Sequence, residues 1–91
     1  MNFSEALLAA KAGQRITRTT WGDRWVSQSP GGRVPASQMW NAHTQNHAHA
    51  HGGQATVDPY FLEKTLLDTI TMGWAPTQDD MLADDWLAMP N

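Results

Sequence analysis

Apolar positions along the chain follow two different periods. In "NFSEALLAAKAG", Phe3, Ala6, Leu7 and Ala10 recur at i, i+3, i+4 and i+7, which lays one apolar stripe along a helix. Asn2 is a ready N-cap, and Glu5 three positions on completes a capping box. Gly13 is the natural stop, and Lys11 suits the negative end of the helix dipole. "QRITRTTW" then changes to a period of two and is rich in β-branched residues. It predicts a strand with Arg15, Thr17, Thr19 and Trp21 on one face and Ile16 and Arg18 on the other. Gly22 and Asp23 make a turn, and "RWVSQS" returns as the second strand of a hairpin. "PGG" at Pro30–Gly32 breaks the chain again.

The pattern fades from about residue 33 to 58. Large aliphatic side chains are few, and Ala, Asn, Gln, His and Gly dominate; "NHAHAHGG" is close to low complexity. This predicts a long His-rich loop, and loops of that length in a small domain are functional or disordered. Order returns in "DPYFLEKTLLDTITMGW". "FLEKTLL" has helical propensity, but the flanks "PYF" and "TIT" favour two strands joined by a turn around Leu67 and Asp68. "TQDDMLA" predicts a short helix with Thr77 as N-cap and Asp80 at N3, and "DWLAM" a last strand. Helix, hairpin, loop, hairpin, short helix and strand together read as one α+β domain over residues 1–91, built on a small antiparallel sheet.

Composition narrows the function classes. A 91-residue chain holds a marginal core. With no cysteine there are no disulfides, which suits a reducing cytoplasm. No apolar run approaches the ~20 residues of a membrane span, and "MNFSEALLAAK" lacks the basic start of a secretory signal. A net charge of −3 with six basic residues argues against DNA or RNA as a partner. It leaves room for a small nucleotide, which needs only a few arginines. Five tryptophans (Trp21, Trp25, Trp40, Trp74 and Trp86) exceed what so small a core requires. They either stack on a ligand or bind together a core and an oligomer interface.

Candidate chemistry is sparse. His43, His47, His49 and His51 share one window, and on a strand the last three would project to one side, as a transition metal requires. The tract lacks cysteines and close carboxylates, so a solvated loop with adventitious nickel or zinc binding is the expected reading, with no metal site and no cofactor. No nucleophile elbow, P-loop or cysteine nucleophile is present. Asp79 and Asp80 stand in a first helical turn, where the dipole makes carboxylates ordinary. The remaining signal is "GWAPTQDDMLADDW". Trp74, Pro76 and the Thr77 cap would form a rigid aromatic face beside several acceptors, with Arg18 and Trp21 supplying a cation and a second plane. Such a set suits a nucleotide: a base stacked, a phosphate paired, a sugar hydrogen-bonded.

The opening "MNFSEALLAAKAGQRITRTTW" and the closing "PYFLEKT…W…TQDDMLADDW" resemble a family of small phage proteins, the anti-Thoeris sponges of the second type. The helix with "NFSEAL", the Arg18–x–x–Trp21 spacing and "DMLADDW" carry the resemblance; residues 33–57 depart from it and read as a His-rich insertion. The resemblance implies a homo-tetramer in the host bacterial cytoplasm with pockets between subunits. It implies sequestration, without cleavage, of a cyclic ADP-ribose isomer made by a TIR-domain enzyme, with cyclic dinucleotides as possible further ligands. Carried over by position, Trp21 and Trp74 are base-stacking candidates, Arg18 a phosphate candidate, and Thr77, Gln78 and Asp80 polar candidates. A small nucleotide-processing enzyme and a structural or adaptor oligomer are the alternatives.

Overall fold

The computed structural model describes residues 1–90. In chain order the elements are α1 (Phe3–Lys11), β1 (Arg15–Arg18), β2 (Trp25–Ser29), β3 (Gly32–Pro35), a 3-10 turn (Ala36–Gln38), α2 (Ala42–Ala50), β4 (Gln54–Val57), β5 (Tyr60–Lys64), β6 (Ile70–Met72), α3 (Gln78–Leu82) and β7 (Trp86–Met89). The fold is α+β. Two compact units divide the chain: residues 1–29 with those from 60 onward, and residues 30–59. Among the described residues no helix is long and apolar enough to cross a membrane.

The first unit forms much as its periodicity predicts. The Asn2 side chain accepts the Glu5 N–H at 2.9 Å, and the Glu5 carboxylate accepts the Asn2 N–H at 3.0 Å, so the capping box closes. Ala6 and Ala10 of the predicted stripe are buried, with Phe3 and Ala9 packed beside them. The five strands of this unit lie in the order β6-β5-β2-β1-β7, every pair antiparallel. The last strand therefore returns beside the first, with Arg18 opposite Trp86 and Ile16 opposite Ala88. The β5–β6 hairpin turns at Asp68, whose φ is 60°.

One strand is shorter than its alternation predicts. β1 ends at Arg18, and the Trp21 N–H donates to the Arg18 carbonyl at 3.0 Å to close a turn. Trp21 therefore leaves the face it would share with Arg15 and Thr17. It joins Ile16, Val26, Trp74 and Trp86 in the core and is only 8% exposed. The turn corrects the face that alternation gives this ring. Trp86 is fully buried, and its indole N–H donates to the Asp80 carbonyl at 2.8 Å.

Residues 30–59 correct the expectation of a loop. β3 and β4 pair antiparallel, Gly32 opposite Val57 and Pro35 opposite Gln54, with the 3-10 turn and α2 between them. The helix lacks a large apolar stripe, which is why periodicity passes over it; Ala48 alone is buried. It forms on propensity and caps. Alanine is the best helix former, the Asn41 side chain accepts the Thr44 N–H at 2.9 Å, and Gly52 at φ 80° ends the helix without a Cβ penalty. Gly31 is required where the ribbon closes. At φ 70° a Cβ there would stand 2.2 Å from the Val57 carbonyl oxygen.

Trp86 is the largest fully buried side chain. Trp86→Ala is expected to lower stability by about 3–5 kcal/mol, the usual cost of truncating a buried aromatic. Urea denaturation followed by circular dichroism measures it; a loss under about 1 kcal/mol would contradict this core.

Candidate functional site

The short helix α3 builds the site outward from its cap. Thr77 stands in extended backbone, and its hydroxyl accepts the Asp80 N–H at 3.1 Å. The Asp80 carboxylate accepts the Thr77 N–H at 2.9 Å through Oδ2. Its other oxygen, Oδ1, accepts Arg18 Nη1 at 3.0 Å. Arg18 Nε donates to Asp85 Oδ1 at 2.9 Å, and the Thr19 hydroxyl reaches Asp85 Oδ2 at the same distance. One guanidinium at the end of β1 thus ties the first turn of α3 to the residue just before β7. Asp80 is 4% exposed, and every buried polar side-chain atom among the described residues has a partner.

The electrostatics follow from these bonds. Burial pushes the Asp80 carboxyl up, but hydrogen bonds from Thr77 and Arg18, with the Arg18 charge, outweigh it and hold the group below its ordinary 3.8. The Asp85 carboxyl is also held down, chiefly by Arg18 and then by the Thr19 hydroxyl. Arg18 is raised in turn, above all by Asp85. Two carboxylates on one guanidinium leave this corner acidic by one charge. Arg18 Nη2 has no hydrogen-bond partner among the described residues.

Beside this corner lies an aromatic cluster. The Trp21 ring meets Trp86 at 5.1 Å and Trp74 at 6.2 Å, both edge-on. Trp74 also meets Phe61 at 5.9 Å and Trp86 at 6.4 Å. Such T-shaped pairs satisfy the ring quadrupoles of a packed core. The Arg24 guanidinium lies 3.9 Å from the Trp21 ring centroid and pairs with Glu63 of β5. Arg24 therefore covers a face of the ring that a flat ligand would use.

The structure joins Arg18, Trp21, Trp74, Thr77 and Asp80 through direct contacts, with Trp86 between them, and sets Gln78 next along α3. Thr77 and Gln78 are exposed; Trp21, Trp74 and Asp80 are buried; Arg18 is half-buried. Sequence reasoning, which noted Asp85 only as one of four nearby carboxylates, missed its pairing with Arg18, and it missed Arg24 and the part played by Trp86. The antiparallel pairing of β1 with β7 brings Asp85 to Arg18, and chain separation hides that pairing. Arg24 has a local signal, since it lies three residues after Trp21. The histidines lie on α2 and its C-cap His51 rather than on a strand, so His49 leaves the side shared by His47 and His51. Among the described residues no three His, Cys, Asp or Glu side chains are placed to hold a metal.

Acid should probe the Asp80 corner. A carboxyl lowered by folding adds stability above its unfolded value, and that stability is lost as pH falls through the folded value. Wild type is expected to lose stability below about pH 4 more steeply than Asp80→Asn. Parallel acid limbs in urea titrations from pH 6 down to pH 2.5 would contradict the assignment.

No curated protein matches the chain. The model of the Thoeris anti-defense 2-like domain matches residues 1–89, nearly the whole length and across both units. By that match, this chain belongs to the Thoeris anti-defense 2-like family.

Proposed function

We propose that the protein is a phage anti-defence sponge. It binds a cyclic nucleotide immune signal of the Thoeris type, a TIR-made cyclic ADP-ribose isomer, and withholds it from the defence effector without cleaving it. The observation that carries this reading is the family match over residues 1–89. The chemistry around α3 supports it. Thr77 and Gln78 offer exposed hydrogen-bonding groups, Arg18 keeps Nη2 as a donor, and Trp21 and Trp74 stand behind them as the aromatic wall. Asp80 holds Arg18 and Thr77 in position. Arg24 gives a purine a guanidinium plane over Trp21, and bases stack on such planes as they do on aromatic rings.

A sponge acts stoichiometrically and needs tightness, not a general base. A ligand of roughly 35 heavy atoms at about −0.3 kcal/mol each reaches about −11 kcal/mol, or about 10 nM. Homotetramer assembly belongs to the same reading. Leu66, Leu67, Ile70 and Met72 leave a large apolar surface exposed along the β5–β6 hairpin, which suits a subunit contact. The burial of Trp21 and Trp74 also favours a second reading, a structural oligomer in which these rings serve the core alone.

Calorimetry against a panel of cyclic ADP-ribose isomers and cyclic dinucleotides separates the two. The sponge reading expects nanomolar binding of one member and its intact recovery after denaturation. Gln78→Ala is expected to weaken binding roughly fivefold, about 1 kcal/mol for one lost hydrogen bond, with folding unchanged. Absence of heat with every nucleotide supports the structural reading, and recovery of a cleaved product means an enzyme. Light scattering is expected to give four times the 10.1 kDa chain mass; a monomer at micromolar concentration would remove the tetramer.

A further inference from the structure

Residues 30–59 carry chemistry that the α3 corner does not use. A half-open cleft of about 390 Å³ is lined by Arg33, His47, His51, Gln54, Ala55 and Thr56. No carboxylate lines it, and Asp58 is the single acid of this unit against one arginine and four histidines. Arg33 lies opposite Thr56 in the β3–β4 ladder, and Gln54 is two residues from Thr56. A guanidinium, a hydroxyl and an amide therefore share one face of the ribbon. Arg15 bonds the Pro90 carbonyl, Arg18 holds Asp80 and Asp85, and Arg24 holds Glu63. Arg33, by contrast, has no ion pair or side-chain hydrogen bond among the described residues.

The two histidines close the cleft from α2. Their rings stack at 4.1 Å with 27° between planes, one helical turn apart. His51 Nδ1 lies 2.7 Å from the His47 carbonyl oxygen, so it donates there and Nε2 is the ring atom left for a ligand. Parallel stacked rings send their lone pairs side by side rather than toward one point, which disfavours a shared metal ion. The Arg33 guanidinium supplies a positive charge, and the two imidazoles supply ring nitrogens beside it.

We propose that Arg33, His47 and His51 form a binding site for a phosphate dianion, free or as the end group of a phosphomonoester, with Gln54 and Thr56 as neutral donors. The guanidinium attracts the anion, and a phosphate's tetrahedral oxygens accept from donors on several sides. A phosphodiester, with a single charge, matches less well, so the site is distinct in chemistry from the cyclic-nucleotide reading of α3 and does not depend on it. No opposing group interferes from the packing elements: the 3-10 turn and β4, against which α2 packs, hold no titratable side chain, β3 holds Arg33, and His43 and His49 lie on α2 itself.

The test follows the four histidine ring signals by proton NMR at pH 6.5 and constant ionic strength, with chloride as the control. The probes are inorganic phosphate, methyl phosphate and dimethyl phosphate. The His47 and His51 signals are expected to shift saturably with the first two probes, while His43 and His49 move little. Arg33→Gln is expected to weaken phosphate binding at least about fivefold, as loss of one charged hydrogen bond does. Because Arg33 is exposed, the variant is expected to keep its circular dichroism spectrum. Uniform or unsaturable shifts of all four histidines, equal binding of dimethyl phosphate, or unchanged binding by Arg33→Gln would each overturn the proposal.

Discussion

The buried carboxylate of Asp80 sets the conditions for everything around it. A charge removed from water must be paired and hydrogen-bonded. Asp80 meets that demand from both sides, with the Thr77 N–H on one oxygen and Arg18 on the other. Its own N–H is capped by Thr77, and its carbonyl takes the Trp86 indole. A helix of only five residues has little stability of its own. Here the cap, the ion pair and the indole hold it. The closing strand depends on the same group, because Trp86 opens β7 and Asp85 precedes it on Arg18.

The aromatic cluster extends this logic into the core. Trp21, Trp74 and Trp86 meet edge-on, so each ring is oriented by its neighbours. In the proposed sponge reading, a rigid wall of this kind presents Thr77 and Gln78 to the ligand at low entropic cost. It also means that changes to Trp21 test folding and binding together, whereas changes to exposed Gln78 test binding alone. Arg24 adds a guanidinium over Trp21, held in place by Glu63 of β5.

How much was legible in the sequence depended on the range of the interaction concerned. The two capping boxes, at Asn2 with Glu5 and at Thr77 with Asp80, span three residues each and were readable as spelled. So were both hairpins of the five-stranded sheet, whose turns lie between β-rich runs. Trp21 was misplaced because alternation carried the strand three residues too far, past the turn that swings its ring inward. The pairing of Arg18 with Asp80 and Asp85 spans more than sixty residues and has no local signature. α2 was missed for another reason. Its buried face is a single alanine, so hydrophobic periodicity carries no signal, and only Asn41 and Gly52 mark its ends. Asp80 contacts Arg18 and Thr77, and Trp86 links them to Trp21 and Trp74, yet composition could not distinguish a ring that serves a ligand from one that serves the core.

A double-mutant cycle between Arg18→Gln and Asp80→Asn, read by urea denaturation near neutral pH, tests the role of this ion pair most directly. Hydrogen bonds between charged groups contribute about 1.5–3 kcal/mol, and contacting residues couple on that scale. If Asp80 is the point on which α3 and the closing strand depend, the cycle should give a coupling of at least about 1.5 kcal/mol, with each single change destabilising the fold. Additive effects within about 0.5 kcal/mol would contradict that account and make the fork incidental to the fold.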